Sequence, residues 1–273
     1  MKKIVLTITI IILSINAIGQ NKHSLAADKA FDSEYYSTAI VKYKKAAKKT
    51  KKDRAEKARI YARIGDCYCM TNKTKSAEIQ YKNAIKQKYA ERDSTVILKY
   101  ANTLRYNGKY EEAKEQYELF LERSPQHPLA IAGIESCRLA EEWTNNPNEV
   151  IVTKIKSINS KQDDFCPAWS DQSYSSIIFT SAREASNGKN TDEWTGQKFS
   201  DLYITKCDNK GKWTEPVSID ENNIINTTGN EGAPVTNFRA NRLYYTFCPD
   251  NEELFCGCKV YVARRDGQNW SDP

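Results

Sequence analysis

The sequence predicts a multidomain chain, an all-α solenoid of paired helices followed by all-β blades of short strands. Two internal repeats and one helix-breaking segment predict it. Ala39, Ala77 and Ala113 each lie twelve residues after a small residue and four before a tyrosine, a helical spacing. Trp213-Thr214-Glu215-Pro216 returns as Trp270-Ser271-Asp272-Pro273, and each copy closes a similar set of short apolar runs. Between the two repeats, Asn145-Asn146-Pro147-Asn148 stops any helix and marks a boundary. The domains are then 1–19, a signal peptide, 21–145, helical, and 149–273, all-β.

The chain opens on a basic head, Met1-Lys2-Lys3, and an almost wholly apolar run from Ile4 to Ile18. Ala17-Ile18-Gly19 is a small-x-small site before Gln20, the plan of a secretory signal peptide. A membrane anchor is the alternative, but the run is short of the roughly 20 residues a span needs. No cysteine lies near the cleavage site, which argues against a lipid anchor. No other segment could span a bilayer. Export places the eight cysteines in an oxidising compartment where they can pair.

The helical repeat aligns Ala27, Gly65 and Ala101 with Ala39, Ala77 and Ala113, then Tyr43, Tyr81 and Tyr117, then Ala46, Ala84 and Phe120. Small residues belong where two helices cross closely, and the aromatic fills the pocket beside them. Turns fall at Thr71-Asn72-Lys73-Thr74 and Asn107-Gly108-Lys109. This pattern resembles the tetratricopeptide repeat (TPR), with Gly65, Tyr68, Ala77, Tyr81 and Ala84 the best-matched copy. Pro128 to Trp143 reads as a further amphipathic helix, with Ile131, Ile134, Cys137 and Leu139 apolar, that caps the stack.

Charge divides at the boundary. Residues 1–146 hold 27 Lys+Arg against 17 Asp+Glu, while residues 147–273 hold 14 against 18. A basic run extends from Lys42 to Arg59. Within it, Lys48, Lys49, Lys51 and Lys52 are candidate protein-binding residues for an acidic partner, because helical stacks bind through exposed surfaces. The competing reading is a solvated helix face. The run lacks interleaved aromatics for base stacking, so no nucleic-acid partner is expected.

The second repeat pairs Asp164-Phe165-Cys166-Pro167 with Glu231-Gly232-Ala233-Pro234. It pairs Ile177-Ile178-Phe179-Thr180 with Leu243-Tyr244-Tyr245-Thr246, and Asp201-Leu202-Tyr203-Ile204 with Lys259-Val260-Tyr261-Val262. Repeated short strands of this period are a signature of β-propeller blades. A ring needs roughly four to eight blades, so two blades make an incomplete propeller, and the chain reads as the front of a longer protein. Val150 to Ile155 reads as a strand beside the first blade. The long polar loops Ala182–Ser200 and Asp220–Gly232 are where blades usually bind. Cys248 is expected to pair with Cys256 or Cys258 across a hairpin, and Cys166 could pair with Cys207. Cys67, Cys69 and Cys137 sit in helical sequence as buried thiols. A zinc site of Cys248, Cys256 and Cys258 fits no common spacing, so no metal and no cofactor is expected.

Phe165 to Asp171 with Ile178 to Ser181, and Asn230 to Pro234 with Leu243 to Thr246, resemble the WD40-like PD40 blades of TolB-like proteins. Neither copy has the Asp-Gly hairpin turn of that family. Gln172-Ser173-Tyr174 and Asn237 to Asn241 stand there instead, which puts a ligand role of the tips in question. A signal peptide, then TPRs, then such blades carrying Trp194 to Leu202 and Cys256 to Tyr261 resembles Bacteroidetes envelope proteins. It is similar to the periplasmic TPR–propeller–OmpA-like component of the type IX secretion system. That resemblance implies a periplasmic location at the outer membrane or peptidoglycan, protein partners in the envelope, and peptidoglycan binding through an OmpA family domain outside this chain.

No Gly-x-Ser-x-Gly elbow, Walker loop or His-Glu-x-x-His motif occurs. The histidines are His23 and His127 alone, and the carboxylate pairs Asp163-Asp164 and Glu252-Glu253 have no partner to act with. The chain therefore reads as no enzyme, with catalytic residues none, and as a scaffold for protein–protein interaction. The alternative is the front part of an exported prolyl-oligopeptidase-like peptidase whose hydrolase domain lies further on. A TolB-like accessory role is a third reading.

Overall fold

The structure, a computed structural model, describes residues 24–50, 52–188, 190–249, 257–267 and 269–273. The expected signal peptide, residues 1–19, lies outside them. Contacts divide the chain into two compact units, one of residues up to 33 with 39–135, the other of 34–38 with 136–273. No described helix is long and apolar enough to cross a membrane.

The helical elements are α1 (Leu25–Asp32), α2 (Tyr36–Lys49), α3 (Arg54–Met70), α4 (Thr74–Lys86), α5 (Thr95–Tyr106), α6 (Tyr110–Leu121) and α7 (Pro128–Asn145). A 3-10 turn, Tyr89–Glu91, joins α4 to α5. In sequence order α3 packs on α4, α4 on α5 and α5 on α6, so the fold is a stack of TPR-like helix pairs. Asp53 starts α3 by accepting the Glu56 N–H at 2.9 Å, satisfying one of the donors a helix start leaves open.

Gly65 is the crossing point of α3 and α4. A Cβ there would fall 2.6 Å from Cε1 of Tyr81, so the ring occupies the space any side chain would need. Each aligned tyrosine is also fully buried and tied to the residue that follows the small one. Tyr43 donates its hydroxyl to Asp28 at 2.5 Å, Tyr81 to Asp66 at 2.8 Å, and Tyr117 to Asn102 at 2.7 Å. Burial of a phenol is thus compensated in all three copies by the same bond. The copies are linked in turn. Arg59 on α3 reaches back to Asp28 on α1 at 2.9 Å, and Lys99 on α5 to Asp66 on α3 at 2.8 Å. Helix α7 meets α6 through small residues, since a Cβ on Gly133 would fall 2.3 Å from the Tyr117 ring. Ala130 and Cys137 are buried, whereas Ile131, expected on the covered face, is 50% exposed.

The second unit holds two antiparallel four-stranded sheets, each a meander in sequence order. Sheet 1 is β1 (Asp164–Trp169), β2 (Ser176–Ser181), β3 (Asp201–Lys206) and β4 (Val217–Ser218). Sheet 2 is β5 (Asn230–Thr236), β6 (Arg242–Cys248), β7 (Lys259–Asp266) and β8 (Asn269–Trp270). The first strand of each carries the same bulge, between Phe165 and Ala168 and between Gly232 and Val235. Cys166 and Ala233 sit there at φ of +50°, just before Pro167 and Pro234. Repetition of so unfavourable a conformation in a residue with a Cβ marks the bulge as a built feature of the repeat. The core is Ile178 and Leu202 of sheet 1 against Leu243, Tyr245 and Ala263 of sheet 2, closed by Ile219, Ile225 and Trp270.

Two sequence expectations fail here, and one alternative is closed. Val150 to Ile155 forms no strand, and Val150, Ile151 and Val152 are 75, 90 and 93% exposed. Among the described residues no strand edge pairs with them, and an unpaired strand has nothing to hold it. Cys166 and Cys207 do not pair. Cys166 lies in the bulge at one end of the sheet, and Cys207 lies two strands away past the other end of β3, beyond disulfide reach. The zinc alternative is closed because Cys248 is bonded to Cys258, which removes two of its ligands. Cys256, the other disulfide candidate, lies outside the described residues.

Candidate interaction surfaces

The basic run divides by environment. Arg59 is structural, held by Asp28, Glu56 and Ser24. Burial raises the Asp28 carboxyl, and the hydrogen bonds from Arg59 and Tyr43 outweigh that and set it below its ordinary value. Glu56 and Asp28 in turn hold Arg59 well above its ordinary value against the cost of burial. Lys44 and Lys57 lie over the Tyr68 and Tyr61 rings, at 5.4 and 5.9 Å. Lys48 and Lys49 form the exposed last turn of α2, where cations favour the helix C-terminus. Lys52 is exposed in the link to α3. No ion pair holds these three among the described residues. Lys51 lies outside them.

At the hairpin tips of the two sheets is a cavity of about 480 Å³. Trp169, Tyr174 and Phe238 line it and are 44, 64 and 88% exposed. Trp169 meets Tyr174 edge to face at 5.5 Å, and its ring lies tilted by 30° to that of Trp213 at 6.4 Å. Gln172 donates to the Phe238 carbonyl at 3.0 Å and joins the tips. Exposed aromatics around a concavity are the composition of protein interfaces. The missing Asp-Gly turn hides this site in the sequence. The signal that marks it is the aromatic at each tip, Tyr174 and Phe238.

At the opposite end of the sheets is a cavity of about 350 Å³, lined by Asp163, Asp192, Lys198, Asn230 and Glu231 among others. The carboxylate position of the repeat has two fates. In sheet 1, Asp164 accepts from Ser181 at 2.6 Å and from Arg183 at 3.0 Å. Burial raises it, and those bonds with that of the Ser160 N–H bring it below its ordinary value. In sheet 2 its counterpart Glu231 is wholly buried and takes one hydroxyl, Thr227 at 2.6 Å. Burial, helped by Asp201 and Asp220 nearby, pushes it up to about 7 against the hydrogen bonds from Thr227. Asp201 is likewise pushed up to about 6 by burial and by Asp220, against the bond from the Asn187 N–H.

The remaining carboxylates and histidines of the sequence analysis form no joint site. Asp163 pairs with the Gln197 amide at 2.5 Å, and His127 packs its edge on Phe120 at 5.1 Å. His23, Glu252 and Glu253 lie outside the described residues. No protein-family model matches the chain, and no curated protein matches it. Among solved structures, it is similar to the crystal structure of the Sgt2 TPR domain from Aspergillus fumigatus, at 17% identity and a TM-score of 0.38, over 52% of this chain and 91% of that one. That likeness is too distant to transfer a binding site.

Proposed function

We propose that this chain is a non-catalytic scaffold of the bacterial envelope, exported and held at the outer membrane or peptidoglycan. Its helical unit grips a protein partner, and its two sheets are neighbouring blades of a β-propeller that docks another. The observation that carries this reading is the repeated lock of Tyr43 on Asp28, Tyr81 on Asp66 and Tyr117 on Asn102. It fixes the helix pairs from inside and leaves their exposed surface for partners, as helical-repeat stacks do. The shared meander, bulge and packing of the two sheets support the blade reading. The likeness to the type IX secretion component with TPRs, propeller and OmpA-like domain supplies the setting, with peptidoglycan held by a domain outside this chain.

Reversing Lys48, Lys49 and Lys52 to Glu tests the partner. With a photo-cross-linker at Tyr35, the native chain is expected to give an envelope-protein adduct in cells, and the reversed chain about tenfold less of it, with unchanged helical content. An equal yield sinks the acidic-partner reading. N-terminal sequencing of the mature protein is expected to begin near Gln20, and an intact Met1 in the cytosol sinks export.

A further inference from the structure

Because the two sheets repeat one another, a contact made in one and missing from the other stands out. In sheet 1 the register sets Asp164 opposite Ser181, and a guanidinium holds the carboxylate. Arg183 donates to Asp164 at 3.0 Å, to the Ser181 hydroxyl at 2.8 Å and to the Ile158 carbonyl at 3.0 Å. It also lies 4.5 Å from the centre of the Tyr203 ring. In sheet 2 the register sets Glu231 opposite Phe247. Arg183 stands two residues beyond Ser181, and Pro249 stands two beyond Phe247. The hydroxyl and the guanidinium have given way to a phenyl ring and a proline, while the carboxylate is kept.

The kept carboxylate is half satisfied. Glu231 is wholly buried, its Oε1 accepts from Thr227 at 2.6 Å, and its Oε2 has no hydrogen-bond partner. Such an atom is costly and rare, and needs a reason. Glu231 belongs to the wall of the cavity of about 350 Å³, whereas Thr227 does not, which leaves the free oxygen for the cavity. The wall adds the carboxylates Asp163 and Asp192, against Lys198, which donates to the Glu184 carbonyl at 2.8 Å. Near Glu231 stand the Asp201 and Asp220 carboxyls and the Tyr245 phenol, and Lys259 lies across β6 on the same face. The balance is acidic, so the cavity suits a cation. Among the described residues no group of three His, Cys, Asp or Glu side chains is placed to hold a metal ion. A guanidinium instead brings five donors of its own. Asp163 and Asp192 accept from Gln197 and Thr195, and each carboxylate keeps lone pairs beyond those bonds.

We propose that this cavity is an arginine pocket. It takes the guanidinium of an arginine side chain on a docked polypeptide, with Glu231 Oε2 as acceptor and Asp163 and Asp192 balancing its charge. Arg183 on Asp164 is the precedent within the same molecule. The source is a polypeptide and not free arginine, because Lys198 is engaged by Glu184 and, among the described residues of the wall, no other cation meets a free α-carboxylate. The inference rests on the docking role proposed for the sheets for the source of the arginine, not for the pocket.

The probe is acetyl-arginine methylamide, and acetyl-citrulline methylamide, of the same shape without the charge, is its control. Amide spectra of the purified protein are the readout. The expected result is saturable one-to-one shifts at Glu231 to Ala233 with the arginine probe, at least tenfold weaker binding of the citrulline probe, and no binding in Glu231→Gln. That variant keeps the shape and removes a buried charge, so its fold is retained. The probe needs Glu231 ionised, and the side chain without it titrates at about 7, so affinity should rise about tenfold from pH 6 to pH 8. Equal binding of the two probes, binding of neither, or the same shifts with calcium chloride overturns the pocket. A photo-cross-linker at Phe165, on the cavity wall, tests the source in cells. The native chain is expected to give a protein adduct that Glu231→Gln lowers about tenfold. An adduct of equal yield in both, or none, while the arginine probe still binds, overturns the docked polypeptide and leaves the pocket standing.

Discussion

At Gly65 two effects of opposite sign meet in one substitution. Alanine favours a helix interior over glycine by about 1 kcal/mol. Its Cβ, however, would stand 2.6–2.7 Å from two ring atoms of Tyr81, and forcing a methyl into packed space costs about 1–3 kcal/mol. The ring is buried and bonded to Asp66, so it cannot swing away cheaply. Gly65→Ala is therefore expected to lower the melting temperature of the helical unit, and Gly65→Leu to lower it further. Paired with Tyr81→Leu, Gly65→Ala should cost less than it does alone, the sign of coupling in a double-mutant cycle. Gly65 and Tyr81 were legible in the sequence because steric demand falls at fixed spacing. Asp28, Asp66 and Asn102 repeat as regularly but are not legible there, because a polar residue on a helix reads as solvent-facing until its buried partner is seen. Lys48 and Lys49 show the converse: as charges they stand out in sequence, and the structure adds only their place at a helix end.

Elements followed the sequence where periodicity and breakers agreed. Thr71 to Lys73 and Asn107 to Lys109 separate helices as their turn chemistry implies, and each apolar run of the second repeat became a strand. Val150 to Ile155 has strand composition and forms none, because a strand is defined by its neighbour and composition cannot supply one. The link between β6 and β7 needs a different device. Cys248 and Cys258 close it with a disulfide over a sequence separation of 10. In the loop-entropy account a ring of that size stabilises by about 2–3 kcal/mol. Reduction, or Cys248→Ser with Cys258→Ser, should accordingly speed amide exchange in β6 and β7 while leaving α3 to α6 unchanged. Equal exchange in β6 before and after reduction would show that the sheet is held by Leu243, Tyr245 and Ala263 alone.

Across the whole molecule, the two units answer pH differently. In the helical unit burial raises Asp28 and Glu78, and the hydrogen bonds from Arg59 and Lys109 outweigh it, so both end below their ordinary values. Groups of that kind stabilise above their unfolded pKa and lose the contribution as pH falls through the folded one. Between pH 8 and pH 5 they stay ionised in both states and change nothing. In the second unit Glu231 and Asp201 are raised, to about 7 and about 6. The folded state then binds protons that the unfolded state does not, so stability must rise as pH falls from 8 towards 5. With two neighbouring carboxyls competing for the same environment, the gain is on the order of 2–4 kcal/mol. Asp164, lowered like Asp28, removes stability from this unit only below about pH 4. All five tryptophans, Trp143 to Trp270, belong to the second unit, so their fluorescence follows it while far-ultraviolet dichroism is dominated by the helices. Denaturant midpoints read by fluorescence are expected to rise from pH 8 to pH 5, those read by dichroism to stay level and then drop below pH 4. Glu231→Gln should raise the fluorescence midpoint at pH 8 and flatten most of its slope. An unchanged slope would mean that Glu231 is ionised in the folded sheet and has found a cation there, as Asp164 has found Arg183.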